Sequence, residues 1–194
     1  MKLFVFGDSF STNNLGWPSM LGVKIHNFSE NGIGEYKIFQ KVMKNQKYDK
    51  GIICHTSPWR VHTPVHPIHK DNIDRPNNDF IFSDIEYHKQ KNAEMELVHN
   101  YLKKYFDPTY QIDIYNLMIE RLFLSKNTIH ITFHDPDDTK SIENNFNNIW
   151  KKYPGDINHM SIEGNQLVAE KIKKCVFQDD LEEIVYFRIL NNQV

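Results

Sequence analysis

Two short stretches at opposite ends of this 194-residue chain carry side chains that could do nucleophilic chemistry together. Near the start, Gly7-Asp8-Ser9 follows directly on the apolar run Leu3-Phe4-Val5-Phe6. A run of that length suits a buried parallel strand. A glycine turn at its end sets the next side chain at the carboxyl edge of the sheet, where open α/β sheets bind ligands. A serine there, beside backbone N–H groups able to face a developing oxyanion, is placed as a nucleophile. Near the other end, Asp156 and His159 lie three apart in a turn-rich stretch that leads to a helical pattern. A carboxylate beside an imidazole fixes its tautomer and stabilises its protonated form, as the base of a serine nucleophile requires. Taken singly, Gly-Asp-Ser is an ordinary turn tripeptide and Asp-x-x-His an ordinary loop. The pairing carries the reading.

The elements that must position these residues alternate between strand and helix. The pattern predicts a short helix over 15–21, a strand over 23–28, and a helix over 34–47 with Ile38, Phe39, Val42 and Met43 on one face. A third strand follows over 48–56, its buried part Gly51-Ile52-Ile53-Cys54. Residues 58–89 break the rhythm with Pro58, Pro64, Pro67 and Pro76, and read as an irregular insertion over the active site. Residues 93–106 form an amphipathic helix with Leu97, Val98, Tyr101, Leu102 and Tyr105 at helical spacing. Asp107-Pro108 caps and starts another, carrying Ile112, Tyr115, Ile119 and Leu122. A strand is expected over 128–133, ending at His134-Asp135, and 142–150 reads as either helix or strand. A final helix spans 161–177, capped by Ser161, with Ile162, Leu167, Val168, Ile172 and Val176 inward. The tail over 181–190 is apolar enough to dock on the body or a partner. Strands alternating with helices imply right-handed crossovers and a mostly parallel sheet.

These blocks resemble those of the SGNH (GDSL-type) hydrolases. The first block is Gly7-Asp8-Ser9 after a strand. The last is Asp156 to His159, continuing through Ser161 and Gly164. The oxyanion glycine of the second block matches Gly32 in Asn27-Phe28-Ser29-Glu30-Asn31-Gly32, with Gly34 as the fallback. The third block normally supplies an asparagine; here it reads Ile52-Ile53-Cys54-His55-Thr56-Ser57-Pro58, and the asparagine is missing. The resemblance implies a flavodoxin-like three-layer α/β/α sandwich in one domain and a Ser9–His159–Asp156 triad. It implies hydrolysis of a small or carbohydrate-borne ester, such as an acetyl group, without a cofactor. Gly32 and Ser9 would supply oxyanion N–H groups, and Asp8, Ser57 and Arg60 join Gly32 as oxyanion or substrate-binding residues. Ser57 stands closest to the missing asparagine, with His55 and Thr56 just before it. Without such a donor, the alternative is a weak or inactive carbohydrate-binding or interaction protein on the same fold.

Composition bounds the rest. The charge of −2, mixed in sign, makes no case for nucleic acid or an anionic membrane. No apolar run approaches the roughly 20 residues that span a bilayer, and the N-terminal run is too short for a signal peptide. Cys54 and Cys175 are the only cysteines, read as buried free thiols in a reducing, cytoplasmic compartment. His55, His62, His66 and His69 raise a metal-dependent alternative. Pro64 and Pro67 argue against a helical ligand pair there, and polar loop histidines are the simpler account, so no metal is expected.

Overall fold

The computed structural model describes residues 2–12, 16–74, 76–135, 142, 144–155 and 159–177. Five strands form one wholly parallel sheet: β1 (Leu3–Phe6), β2 (Ile25–Asn27), β3 (Lys50–His55), β4 (Thr128–Thr132) and β5 (Asn144–Asn145). Their order is β2-β1-β3-β4-β5, so the chain reverses its direction of growth between β1 and β3. Such a switch point opens a crevice at the carboxyl ends of the strands. The helices are α1 (Glu35–Lys44), α2 (Phe82–His88), α3 (Ala93–Tyr105), α4 (Pro108–Phe123), α5 (Asn147–Lys152) and α6 (Ile162–Phe177).

The pleat sorts the strand residues between two cores. Leu3 and Val5 of β1, Ile52 and Cys54 of β3 and Ile129 and Ile131 of β4 pack with Trp17, Leu21 and the Val168, Ile172 and Val176 stripe of α6. Phe6 and Ile53 face the other way, against Ile38 and Val42 of α1 and Leu122 of α4. Helices therefore cover both faces, which is the α/β three-layer arrangement expected. Each such side chain, removed from water, contributes about 1.5–3 kcal/mol.

Several elements differ from the sequence pattern. Residues 17–21 form a 3-10 turn opened by Pro18 rather than an α-helix, and Leu15 lies outside the described residues. The second strand is shorter than expected, with Val23 exposed beside this sheet edge. Residues 142–150 hold both alternatives in sequence, strand β5 and then helix α5. The insertion is less irregular than its prolines suggest. Its prolines end at Pro76, Val61 and Phe80 then form an antiparallel bridge, and α2 follows, packing Ile85 on Met95 and Leu102 of α3. That packing turns α3 away from its expected face: Met95 and Leu102 are buried, while Leu97, Tyr101 and Tyr105 stand exposed. In α6, Ile162 is exposed at the first turn and Ser161 Oγ accepts the Gly164 N–H, as a cap does. The tail over 181–190 lies outside the described residues. No helix among them is long and apolar enough to cross a membrane.

Candidate active site

Ser9 stands at the end of β1 in a one-turn 3-10 helix, Ser9–Ser11, whose cap is Asp8. Gly7 lets this turn approach β3: a Cβ there would lie 2.7 Å from the Cys54 Cβ and 2.8 Å from Ser11 Oγ. Asp8 does not face the cavity. It is fully buried, with Oδ1 accepting the Phe10 N–H (3.1 Å) and Oδ2 accepting the Thr56 hydroxyl (2.7 Å). Arg60 Nη2 lies 3.6 Å from the same oxygen. Asp8 therefore ties the serine turn to the end of β3 and lies outside the lining of the cavity that Ser9 faces, whereas the sequence suggests an oxyanion or substrate-binding residue.

The loops after β1 and β2 run side by side, because Val5 and Gly7 carbonyls accept the N–H groups of Phe28 (2.8 Å) and Glu30 (3.1 Å). Thr12 Oγ1 donates to Asn31 Oδ1 (2.6 Å), and Asn27 Nδ2 donates to the Ser11 carbonyl (2.6 Å). These bonds bring Gly32 beside Ser9. Gly32 has φ +74°, the left-handed region that glycine reaches without strain. His159 comes from the loop before α6, closed by Gly155 N–H donating to the His159 carbonyl (2.6 Å) and by the Pro154–Met160 bridge. Asp156 falls within this loop but outside the described residues.

Ser9, Gly32, Ser57, Arg60 and His159 all line one cavity of about 500 Å³, with Trp59, Asn78 and Trp150 among its other walls. Its floor is Phe10, stacked on Phe133 at 4.8 Å and edge-on to the rings of Trp150 (5.3 Å) and His159 (5.7 Å). Ser9 and His159 both line the cavity, and among the described residues no hydrogen bond joins them. Ser57 Oγ accepts the Trp59 N–H (3.2 Å), leaving its own proton able to point elsewhere. Arg60 Nη1 is buried without a partner among the described residues. His134 also lines the cavity.

Sequence reasoning missed Asn78. It arrives from the insertion, is 6% exposed, and its buried Oδ1 has no partner among the described residues. Its position is fixed by the next residue: Asp79 N–H donates to the Gly32 carbonyl (3.0 Å), and Asp79 Oδ2 accepts the Gly34 N–H (2.6 Å). A side-chain amide thus stands against Gly32, on the wall of the cavity that also holds Ser9. The signal available in sequence was the Asn77-Asn78-Asp79 run between the last proline and an apolar stretch.

His55 and Thr56, considered as donors, are fully buried outside the cavity lining. His55 instead belongs to a relay beneath the sheet. Its Nδ1 lies 2.7 Å from Glu35 Oε1 and its Nε2 lies 2.8 Å from His130 Nδ1, while His130 Nε2 lies 2.9 Å from Thr128 Oγ1. Thr128 donates its proton to the Ser125 carbonyl, so it accepts from His130 Nε2–H. A neutral His130 then accepts at Nδ1 from His55 Nε2–H. One proton is left for the Glu35–His55 contact, making the pair a salt bridge or its neutral equivalent. Burial, then the neighbouring His55 charge, holds His130 well below its ordinary range. Burial, then the Asp8 charge, pushes the Cys54 thiol well up, so that thiol is inert.

No protein-family model matches the sequence, and no curated protein matches it.

Proposed function

We propose that this chain is a serine hydrolase acting on an ester, with Ser9 as nucleophile, His159 as general base and acid, and Asp156 orienting the imidazole. The observation that carries the proposal is the single cavity onto which Ser9, His159, Gly32 and Asn78 all open. Ser9 Oγ attacks the acyl carbonyl as His159 takes its proton, and His159 then returns that proton to the leaving alcohol. The oxyanion is met by the N–H groups of Ser9 and Gly32 and by the Asn78 amide. Water, deprotonated by His159, releases the acyl group and restores Ser9. The aromatic and amide walls supplied by Trp59, Trp150 and Asn31 suit a carbohydrate-borne ester such as an O-acetyl sugar. Two free cysteines suit the reducing cytoplasm as its compartment.

One observation favours the alternative of a non-catalytic carbohydrate-binding protein: Ser9 and His159 share the cavity without a hydrogen bond between them. Hydrolysis of p-nitrophenyl acetate and labelling by a fluorophosphonate separate the two. The hydrolase reading expects both in the wild type and neither in Ser9→Ala. Folded wild type that neither turns over nor labels would overturn it.

A further inference from the structure

Away from the Ser9 cavity, three histidines of the insertion converge on one carboxylate, that of Asp84. His66 Nε2 and His69 Nε2 each lie 3.3 Å from Asp84 Oδ2, and His88 Nε2 lies 3.4 Å from Asp84 Oδ1. His66 is 1% exposed, and its buried Nε2 has no hydrogen-bond partner among the described residues, so the Asp84 contact is close but poorly aligned. The candidate ligand atoms of His66, His69 and Asp84 all fall within 4.8 Å of one another.

We propose that His66, His69 and Asp84 bind a divalent transition-metal ion of the zinc class, with His88 holding the carboxylate, and that the ion pins the segment delivering Asn78. A tetrahedral ion with bonds of about 2.0–2.1 Å sets neighbouring ligand atoms about 3.3–3.4 Å apart. The Nε2-to-oxygen spacings match that edge, and the full set of ligand atoms, within 4.8 Å of one another, closes toward it as an ion enters. Imidazole with carboxylate suits zinc, cobalt or nickel rather than magnesium or calcium, which take oxygen. His88, one helical turn after Asp84, occupies the other oxygen, the outer contact that orients a ligating carboxylate. His66 Nδ1 accepts the Ile68 N–H at 3.2 Å. Metal at Nε2 moves the ring proton to Nδ1, so loading the site exchanges that long bond for a coordinate one.

The ligands join a turn at 66–69 to helix α2. Asn78 lies between these two anchors, and Ile81 and Ser83, at the start of α2, line the Ser9 cavity with it. The ion's role is to hold that wall, and no step of ester hydrolysis passes through it. The sequence showed His66 and His69, but Asp84 and His88 join them only because α2 forms after the prolines end.

The test uses tag-free full-length protein, stripped with a chelator and titrated with Co²⁺ and then Zn²⁺. Expected are one saturable site per chain, visible Co²⁺ absorption that Zn²⁺ removes, and a melting temperature raised by Zn²⁺ but not by Mg²⁺. His69→Ala, at a partly exposed ring, abolishes the Co²⁺ spectrum, and His88→Gln weakens binding about 10–100-fold. Ser9→Ala binds as wild type does, which separates this site from the hydrolase proposal. Folded wild type with no saturable Co²⁺ site, or a spectrum unchanged in His69→Ala, overturns the proposal.

Discussion

The amide of Asn78 occupies the space that a side chain at position 32 would need. An ideal Cβ on Gly32 would fall 2.0 Å from Asn78 Oδ1 and 2.4 Å from its Cγ. The two residues are 46 positions apart, yet the conformation of one and the placement of the other are a single fact. A glycine at φ +74° opens the gap, and an asparagine carried by the insertion fills it.

On the hydrolase proposal, that fit makes Asn78→Ala a probe of oxyanion stabilisation. Loss of one such donor is expected to lower kcat by about 10²–10³, or about 3–4 kcal/mol. KM should change little, because the donor acts on charge that develops only in the transition state. Gly32→Ala should lower kcat as well and also destabilise the fold by about 1–3 kcal/mol, since it forces a left-handed backbone on alanine and displaces Asn78. Steady-state ester hydrolysis beside urea denaturation of each variant checks both.

Thr56→Val removes the hydroxyl that donates to the buried Asp8 carboxylate at 2.7 Å. A hydrogen bond to a charged group is worth about 1.5–3 kcal/mol, so the urea midpoint should fall by a corresponding amount. Because Asp8 also holds the Phe10 N–H, the serine turn loosens, and fluorophosphonate labelling of Ser9 should slow with it. A normal midpoint in Thr56→Val would mean that the Ser9 turn is held from elsewhere.

His130 gives the fold a sensitivity to mild acid. Burial holds this imidazole well below its ordinary value of 6.5 in the folded protein. Below pH 6.5 the unfolded chain therefore binds a proton that the folded chain refuses, and stability falls as the pH drops from about 6.5 toward the folded value. Above that range the contribution is fully present and flat. Denaturation curves between pH 7.5 and pH 5 should show this loss in the wild type and a shallower one in His130→Gln.

Glu35 is the fixed end of the same relay. Glu35→Ala leaves His55 buried with no carboxylate and strips an acceptor from the Thr56 N–H. Breaking a buried pair on one side costs about 3–5 kcal/mol, whereas activity per folded molecule should persist, since Glu35 lies outside the cavity lining. Thermal unfolding with active-site titration measures the two separately.

What the sequence made legible is what short-range chemistry determines. The apolar run into Gly7, the glycine at 32, the Asp107-Pro108 helix start and the turn holding His159 each depend on neighbours a few residues away. Asn78 depended instead on how a long segment folds back, bridging Val61 to Phe80, which no local pattern records. The face of α3 failed for a related reason. Its apolar residues outnumber the positions that α2 can cover, so spacing alone favoured Leu97 and Tyr101 over Met95. Asp84 and His88 were hidden because the prolines before them suggested that no helix would follow.

Asp79 has a consequence for how the molecule opens. Its fully buried carboxylate accepts from Gly34 N–H and Thr63 N–H, at 2.6 and 2.8 Å, and pairs with Lys37 and His62. These donors belong to the start of α1 and to the near limb of the insertion, while Asp79 itself sits on the far limb. No one of the three segments can detach without stranding a buried charge, so they should separate together. In hydrogen exchange the amides of Gly34, Thr63 and Asp79 would report one opening free energy, and the wall of the cavity would breathe as a unit with the first turn of α1.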